Sequence, residues 1–166
     1  MKKADFLSLI LDNKKIIYKV CHSYCHNPED REDLVQEIII QLWNASDSYN
    51  PEYKLSTWMY RIALNVAISF YRSERRREKS RSSLEEQIIS SVDFEPAEDE
   101  TEMNIQWLYR FISELNELNR ALMLLYLDSH SYKEMSEILG VSETNVASKV
   151  SRIKQKLKQE FSKLEQ

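Results

Sequence analysis

A single glycine, Gly140, stands in 166 residues, with only three prolines beside it. Tight turns between strands need residues that reach positive φ or hold φ fixed, and this chain has almost none. Leu, Ile, Glu, Lys, Arg and Ser dominate instead, residues that helices accommodate well. The expected fold class is all-α.

The residues around Gly140 form the most specific local pattern. Ser131-Tyr-Lys-Glu134 has the form of a capping box, with Ser131 as the cap and Glu134 three residues on. The short helix it starts carries Met135, Ile138 and Leu139 on one face and ends at Gly140, where a left-handed residue costs least. Val141 follows as an apolar plug, and Ser142 caps a second helix that buries Val146, Val150, Ile153 and Leu157. Thr144, Ser148 and Arg152 make one outward row of that helix; Asn145 and Lys149 make the next. Side chains of these types can hydrogen-bond base edges and phosphates in a major groove. Ser131 to Lys158 is therefore expected to be a helix-turn-helix facing DNA, the alternative being an ordinary helical hairpin.

Charge divides the chain. The whole carries −4, which argues against a general nucleic-acid coat protein, but the average conceals segregation. Residues 54–80 sum to +5, residues 81–102 to −7 and residues 142–166 to +3. The acidic stretch is rich in Ser, contains Pro96 and shows no sustained periodicity. It is expected to be a linker over 81–103, joining helical domains at 1–80 and 104–166; a surface loop within one domain is the alternative.

In the first domain, Asn27-Pro28 suits a helix start, and Glu29, Asp30, Glu32 and Asp33 complement the positive end of its dipole. Val35, Ile38, Ile39 and Leu42 form its expected core stripe. The opposite face holds Asp33, Gln36, Glu37, Gln41 and Asn44, with Ile40 among them, the composition of a partner surface or of a stray exposed residue. A second helix is expected over Ser56–Arg72, with Met59, Ile62, Ala63, Val66 and Phe70 as core. Thr57, Arg61, Asn65, Ser69 and Arg72 line its other side, and Tyr49, Tyr53, Trp58, Tyr60 and Tyr71 lie nearby. Cations interleaved with aromatic rings suit single-stranded nucleic acid, where phosphates follow the cations and bases stack on the rings. Core aromatics behind a solvated basic face would be the plainer reading.

Other chemistry is thinly represented. Cys21 with Cys25, and His22 with His26, share helix faces at spacing four, but no further cysteine completes a zinc set. Cys21 and Cys25 also fit a buried stripe beside Tyr18. No phosphate loop, nucleophile motif or carboxylate pair appears, so no catalytic residue, metal or cofactor is expected. Two cysteines without a signal peptide point to the reducing cytoplasm, and the longest apolar runs, Ile38–Ile40 and Ala121–Leu127, are too short to cross a bilayer.

Taken together, these segments resemble the bacterial RNA polymerase sigma factors of the extracytoplasmic-function group, over roughly residues 10 to 160. Asp33-Leu-Val-Gln-Glu37 followed by Leu42-Trp43 looks like that family's clamp-gripping helix, and Ser56-Thr-Trp-Met-Tyr-Arg-Ile-Ala-Leu-Asn65 like its −10 helix. Ser131 to Ser142 looks like the start of its −35 helix-turn-helix. The resemblance implies that Asp33, Gln36, Glu37 and Ile40 contact core RNA polymerase, and that Lys54, Thr57, Trp58, Arg61 and Asn65 bind the melted −10 strand. It implies that Thr144, Asn145, Ser148, Lys149 and Arg152, with Ser131, Tyr132 and Ser142, bind promoter DNA at −35. Residues near Leu118 to Leu127 would meet the polymerase flap, and an anti-sigma factor would be a further partner. The family usually has Gly, Thr and Lys where Thr144, Asn145 and Ala147 stand, and Arg in place of Lys149, so base specificity is expected to be this chain's own. A helix-turn-helix regulator acting without being a polymerase subunit is the competing function.

Overall fold

The computed structural model describes residues 2–78 and 99–165, and among them it holds eight α-helices and no strand. The chain divides into two compact units, Met1–Pro96 and Ala97–Gln166. The acidic residues 81–98 of the expected linker lie outside the described residues, whereas Glu100–Met103 already form the first turn of a helix.

The first unit contains α1 (Lys3–Asp12), α2 (Lys14–Tyr24), α3 (Pro28–Asn44), a 3-10 turn (Ser46–Ser48) and α4 (Leu55–Glu78). Asn27 caps α3, its Oδ1 accepting from the Glu29 amide at 2.8 Å, and Pro28 opens the helix where its missing N–H costs nothing. Arg31 then binds back to the end of α2, donating to the carbonyls of Cys25 (3.3 Å) and His26 (3.1 Å). A cation at these orphan carbonyls fixes the α2–α3 corner.

Helices α2 and α3 both pack on α4. That arrangement corrects two expected stripes. In α3 the fully buried residues are Leu34, Ile38 and Leu42, while Val35 and Ile39 are half-buried. In α4 they are Met59, Tyr60, Ala63, Leu64 and Ala67, while Ile62, Val66 and Phe70 are half-buried. A helix packed on two neighbours buries a wide arc, and Ala63 and Ala67 are small enough to let them approach. The helix also runs past its expected end at Arg72, as far as Glu78.

The second unit contains α5 (Glu100–Glu114), α6 (Glu117–Leu127), α7 (Tyr132–Leu139) and α8 (Glu143–Leu164). Asp99 caps α5, its Oδ1 accepting from the Glu102 amide at 2.7 Å; Asn116 caps α6, accepting from the Asn119 amide at 2.8 Å. Arg120 is 1 % exposed, and its Nη2 donates to the carbonyls of Ser113 (2.6 Å) and Leu115 (2.9 Å). One guanidinium thus satisfies carbonyls that the end of α5 leaves open. Ala121–Leu125 fill the centre of this unit, with Met135, Ile138, Val146, Val150 and Ile153 packed around them. Leu139 and Leu157, expected in that core, are half-buried.

Gly140 has φ 70° and ψ 26°, the left-handed conformation expected of it. Its N–H reaches the Ser136 carbonyl at 2.9 Å, and the Ser136 hydroxyl donates to the Val141 carbonyl, so both sides of the turn are tied down. Ser131 Oγ accepts from the Glu134 amide and Ser142 Oγ from the Asn145 amide, each at 3.1 Å. The α7–Gly140–α8 segment is therefore a two-cap turn between helices, as the spacing implies.

Candidate nucleic-acid interface

Three exposed faces carry the candidate residues. On α3, Asp33, Gln36, Glu37 and Ile40 are all exposed, and their spacing of 3, 1 and 3 places them in one strip. Ile40 is 51 % exposed while its neighbours Ile38 and Ile39 point inward or halfway, so this apolar side chain is presented rather than stored. Gln41 Nε2 donates to Glu37 Oε1 at 2.9 Å, steadying the polar part of the strip.

On α4, Arg61 and Asn65 are exposed one turn apart, Thr57 is half-buried one turn earlier, and Lys54 is exposed just before the helix. The Trp58 ring stands edge-on to Phe6 at 5.5 Å and tilted to Tyr49 at 5.1 Å, leaving it half-buried in an aromatic cluster. Two ring contacts hold the indole in place without enclosing it, since Trp58 is only half-buried. The nearby aromatics then separate by role. Tyr60 is fully buried and Tyr71 packs against Tyr24 at 6.1 Å, so both belong to packing; Tyr53, 69 % exposed, stays available.

In the second unit, Thr144, Asn145, Ser148 and Arg152 are exposed along α8, and Lys149 is half-buried beside them. Ser131 and Ser142 are exposed as well, but each hydroxyl is already an N-cap acceptor, which makes their first role structural. Tyr132 is half-buried and lines an apolar groove of about 860 Å³ with Ile105, Trp107, Tyr126, Leu127 and Phe161. Leu118–Leu127, expected to face a partner, turns Ala121–Leu125 inward and leaves Leu127, 48 % exposed, at the surface. The groove is an open apolar surface of this unit that the sequence pattern did not reveal.

Two residues outside these faces do structural work in the second unit. Arg120, buried at the α5–α6 corner, is one of them, and no spacing signals its burial. His130 contacts Glu134 through Nδ1 at 3.1 Å and lies 3.7 Å from Asp128 through Nε2. It thereby joins the loop after α6 to the first turn of α7.

Cys21 and Cys25 are buried, while His22 and His26 are exposed. Among the described residues no group of three or more His, Cys, Asp and Glu side chains is arranged to hold a metal. Burial first, then proximity to Cys25, pushes the Cys21 thiol up to about 12, against an opposing pull from Arg31. The thiolate is the reactive form. Native protein at pH 8 is therefore expected to alkylate Cys21 at under about one-hundredth of its rate in denaturant, as followed by mass spectrometry. The sign for stability follows: a thiol raised from 9.0 to about 12 contributes fully below pH 9 and loses its contribution as pH rises from 9 towards 12.

Comparison with known proteins agrees with the two-unit arrangement. Residues 9–77 match the family model for sigma-70 region 2, and residues 105–157 that for sigma-70 region 4. The extracytoplasmic-function sigma factor SigW of Bacillus subtilis (strain 168) is 26 % identical over 97 % of this chain and 92 % of its own length. SigZ of the same bacterium is 32 % identical over 77 % of this chain and 70 % of its own, and the sigma-E factor of Escherichia coli (strain K12) 31 % over 76 % and 71 %. The sigma factor RpoE, solved with the anti-sigma factor NepR from Bartonella quintana, superposes with a TM-score of 0.73 at 25 % identity, covering 98 % of this chain and 99 % of that one. CnrH, solved with the cytosolic domain of CnrY, shares the fold at a TM-score of 0.67 and 18 % identity, over 97 % of this chain and 90 % of its own. On these matches, together with the three exposed faces, the chain belongs to the extracytoplasmic-function group of RNA polymerase sigma factors.

Proposed function

We propose that this sigma factor grips core RNA polymerase with the α3 strip, holds the melted −10 strand on α4 and reads the −35 duplex with α8. The domains that do so are residues 1–80 and 104–166, with residues 81–103 between them. The observation that carries this reading is the coexistence, on one chain, of a presented polymerase-type strip (Asp33, Gln36, Glu37, Ile40) with two polar nucleic-acid faces in separate units. A regulator independent of polymerase needs the α8 face but has no use for the other two.

The roles differ by chemistry. Arg61 and Lys54 supply phosphate contacts, Asn65 supplies an amide that can pair with an unstacked base edge, and Trp58 supplies a stacking face. Thr144, Asn145 and Ser148 offer hydroxyl and amide groups to base edges in an intact major groove, while Arg152 and Lys149 offer charge. All of this is binding and positioning; the chain itself catalyses no reaction and needs no cofactor or metal. No helix among the described residues is long and apolar enough to cross a membrane, and the proposed site of action is the cytoplasm, with the polymerase. RpoE's complex with NepR supports an anti-sigma partner for this chain too.

Arg152→Ala and Lys149→Ala are each expected to weaken duplex binding by the polymerase complex and to lower the slope of log affinity against log salt by about 1. Unchanged affinity and slope would remove these residues from the DNA face. Core binding is tested separately, by co-elution of the chain with purified core polymerase in gel filtration. Ile40→Asp is the informative variant there, since it reverses the character of the strip without touching the core.

A further inference from the structure

None of the residues lining the apolar groove of the C-terminal unit belongs to the α3, α4 or α8 faces described above. On α8 the DNA face ends at Arg152, and the groove takes Lys154, Leu157, Lys158 and Phe161 from the stretch beyond it. From Lys154 to Phe161 the helix advances about 10 Å. Ile105 and Leu108 of α5 and Leu127 of α6 supply further apolar lining. The volume of about 860 Å³ falls in the range of small-ligand sites, roughly 300–1,000 Å³.

The lining is one-sided in charge. Lys154 and Lys158 belong to it and no Asp or Glu does, in a chain whose net charge is −4. Lys154 Nζ lies over the Tyr126 ring, 5.0 Å from its centroid. A hydrogen bond to the Tyr126 hydroxyl, then the charge of that group and more weakly that of Tyr132, hold the Lys154 pKa above the usual lysine range; no carboxylate contributes. At neutral pH the ammonium is therefore charged and not neutralised by a described carboxylate, and it stands near two phenols that can donate hydrogen bonds. An apolar trough with a few convergent polar groups is the usual form of a small-molecule site. One cation beside such a trough complements a molecule with one anionic head and an apolar tail.

We infer that this groove is a binding site for a long-chain fatty carboxylate, its head on Lys154 with the Tyr126 and Tyr132 hydroxyls and its alkyl chain along Ile105, Leu108, Leu127 and Phe161. A carboxylate suits the head position because its single charge matches one ammonium. Its two oxygens can accept from the ammonium and from a phenol together. Lys158, one turn beyond Lys154, is exposed; its stem can cover the alkyl chain while its own head stays in water. Binding needs neither DNA nor polymerase. It gives the C-terminal unit a ligand-dependent surface built from residues other than those of the α8 DNA face.

The test titrates the full-length chain by calorimetry with octanoate, decanoate and dodecanoate, each below its micelle concentration, and with decanol and decyltrimethylammonium. The carboxylates are expected to bind at a single site per chain, about 10-fold more tightly for each two methylenes added. Decanoate is expected to bind about 10-fold more tightly than decanol, and decyltrimethylammonium more weakly than either. Lys154→Gln is expected to remove the preference for decanoate over decanol. Ile105→Asp is expected to weaken decanoate binding by about 10-fold or more, since it sets a like charge and a polar group in the trough. Both positions are exposed, so folding is expected to be unchanged. Absence of saturable binding, or equal affinity for decanoate, decanol and decyltrimethylammonium, would overturn the inference. So would saturable binding that both variants leave unchanged, since the ligand would then sit elsewhere. If no carboxylate binds and Ile105→Asp abolishes co-elution with core polymerase, the inference is overturned in favour of a protein docking surface.

Discussion

Arg120→Ala is expected to destabilise the C-terminal unit by roughly 3–5 kcal/mol, the sum of stranded carbonyls and a large cavity. The wild-type guanidinium is buried and donates to the Ser113 and Leu115 carbonyls, where α5 hands over to α6. Removing it leaves both acceptors without that donor, the Leu115 carbonyl in a buried site, and it removes a cation from the negative end of the α5 dipole. A unit of this size has a total stability near the low end of about 5–15 kcal/mol, so the variant should lose cooperative folding there at moderate temperature. Arg120→Lys keeps the charge but not the planar donor group, and should fall between the two. Urea unfolding followed by Trp107 fluorescence, in a background where Trp43 and Trp58 are Phe, isolates the unit, since Trp107 stacks on Phe111 at 5.8 Å within it. An unmoved midpoint would show that the carbonyls find other partners and that Arg120 is dispensable.

The second large effect is functional. Arg61→Ala with Asn65→Ala should lower open-complex formation by about 100-fold, two contacts at roughly 1.4 kcal/mol each. Both side chains are exposed, so folding stability should change by no more than about 0.5 kcal/mol, and assembly with core polymerase should be unaffected. Permanganate reactivity of thymines in the −10 segment reads strand separation directly. Wild-type reactivity in the double variant would mean that this row does not touch the strand, and would leave Trp58 and Lys54 to explain melting.

Much of the fold could be read from the chain because its punctuation is sparse and unambiguous. Gly140 sits between Ser131 and Ser142, and a two-cap turn with a left-handed residue is what forms. Asn27-Pro28 starts α3 where it should. Periodicity identified these helices but not their orientation to within a residue. The stripe in α4 shifted to include Tyr60, Leu64 and Ala67 because two helices pack on it, and a one-face pattern cannot anticipate a two-sided contact.

The exposed strips on α3 and α8 were legible because polar residues at helical spacing have few other places to go. Arg120 was not: a buried cation is rare, and what makes it tolerable is the pair of open carbonyls five and seven residues upstream, a feature of the fold alone. The apolar groove was hidden for a similar reason, since Ile105, Tyr126 and Phe161 come from three helices that only packing brings together. The row of Arg61, Asn65, Ser69 and Arg72 was legible from its spacing, and the continuation of α4 to Glu78 adds Arg76 to it.

The central claim, that the three exposed faces act together as a promoter-reading subunit of polymerase, is tested most directly by transcription with purified core enzyme on a genomic DNA library. Discrete transcripts are expected that require this chain, begin downstream of a shared pair of sequence elements, and disappear when Arg61 and Asn65 are both alanine. Absence of chain-dependent transcripts, with DNA binding that is indifferent to core polymerase, would contradict it.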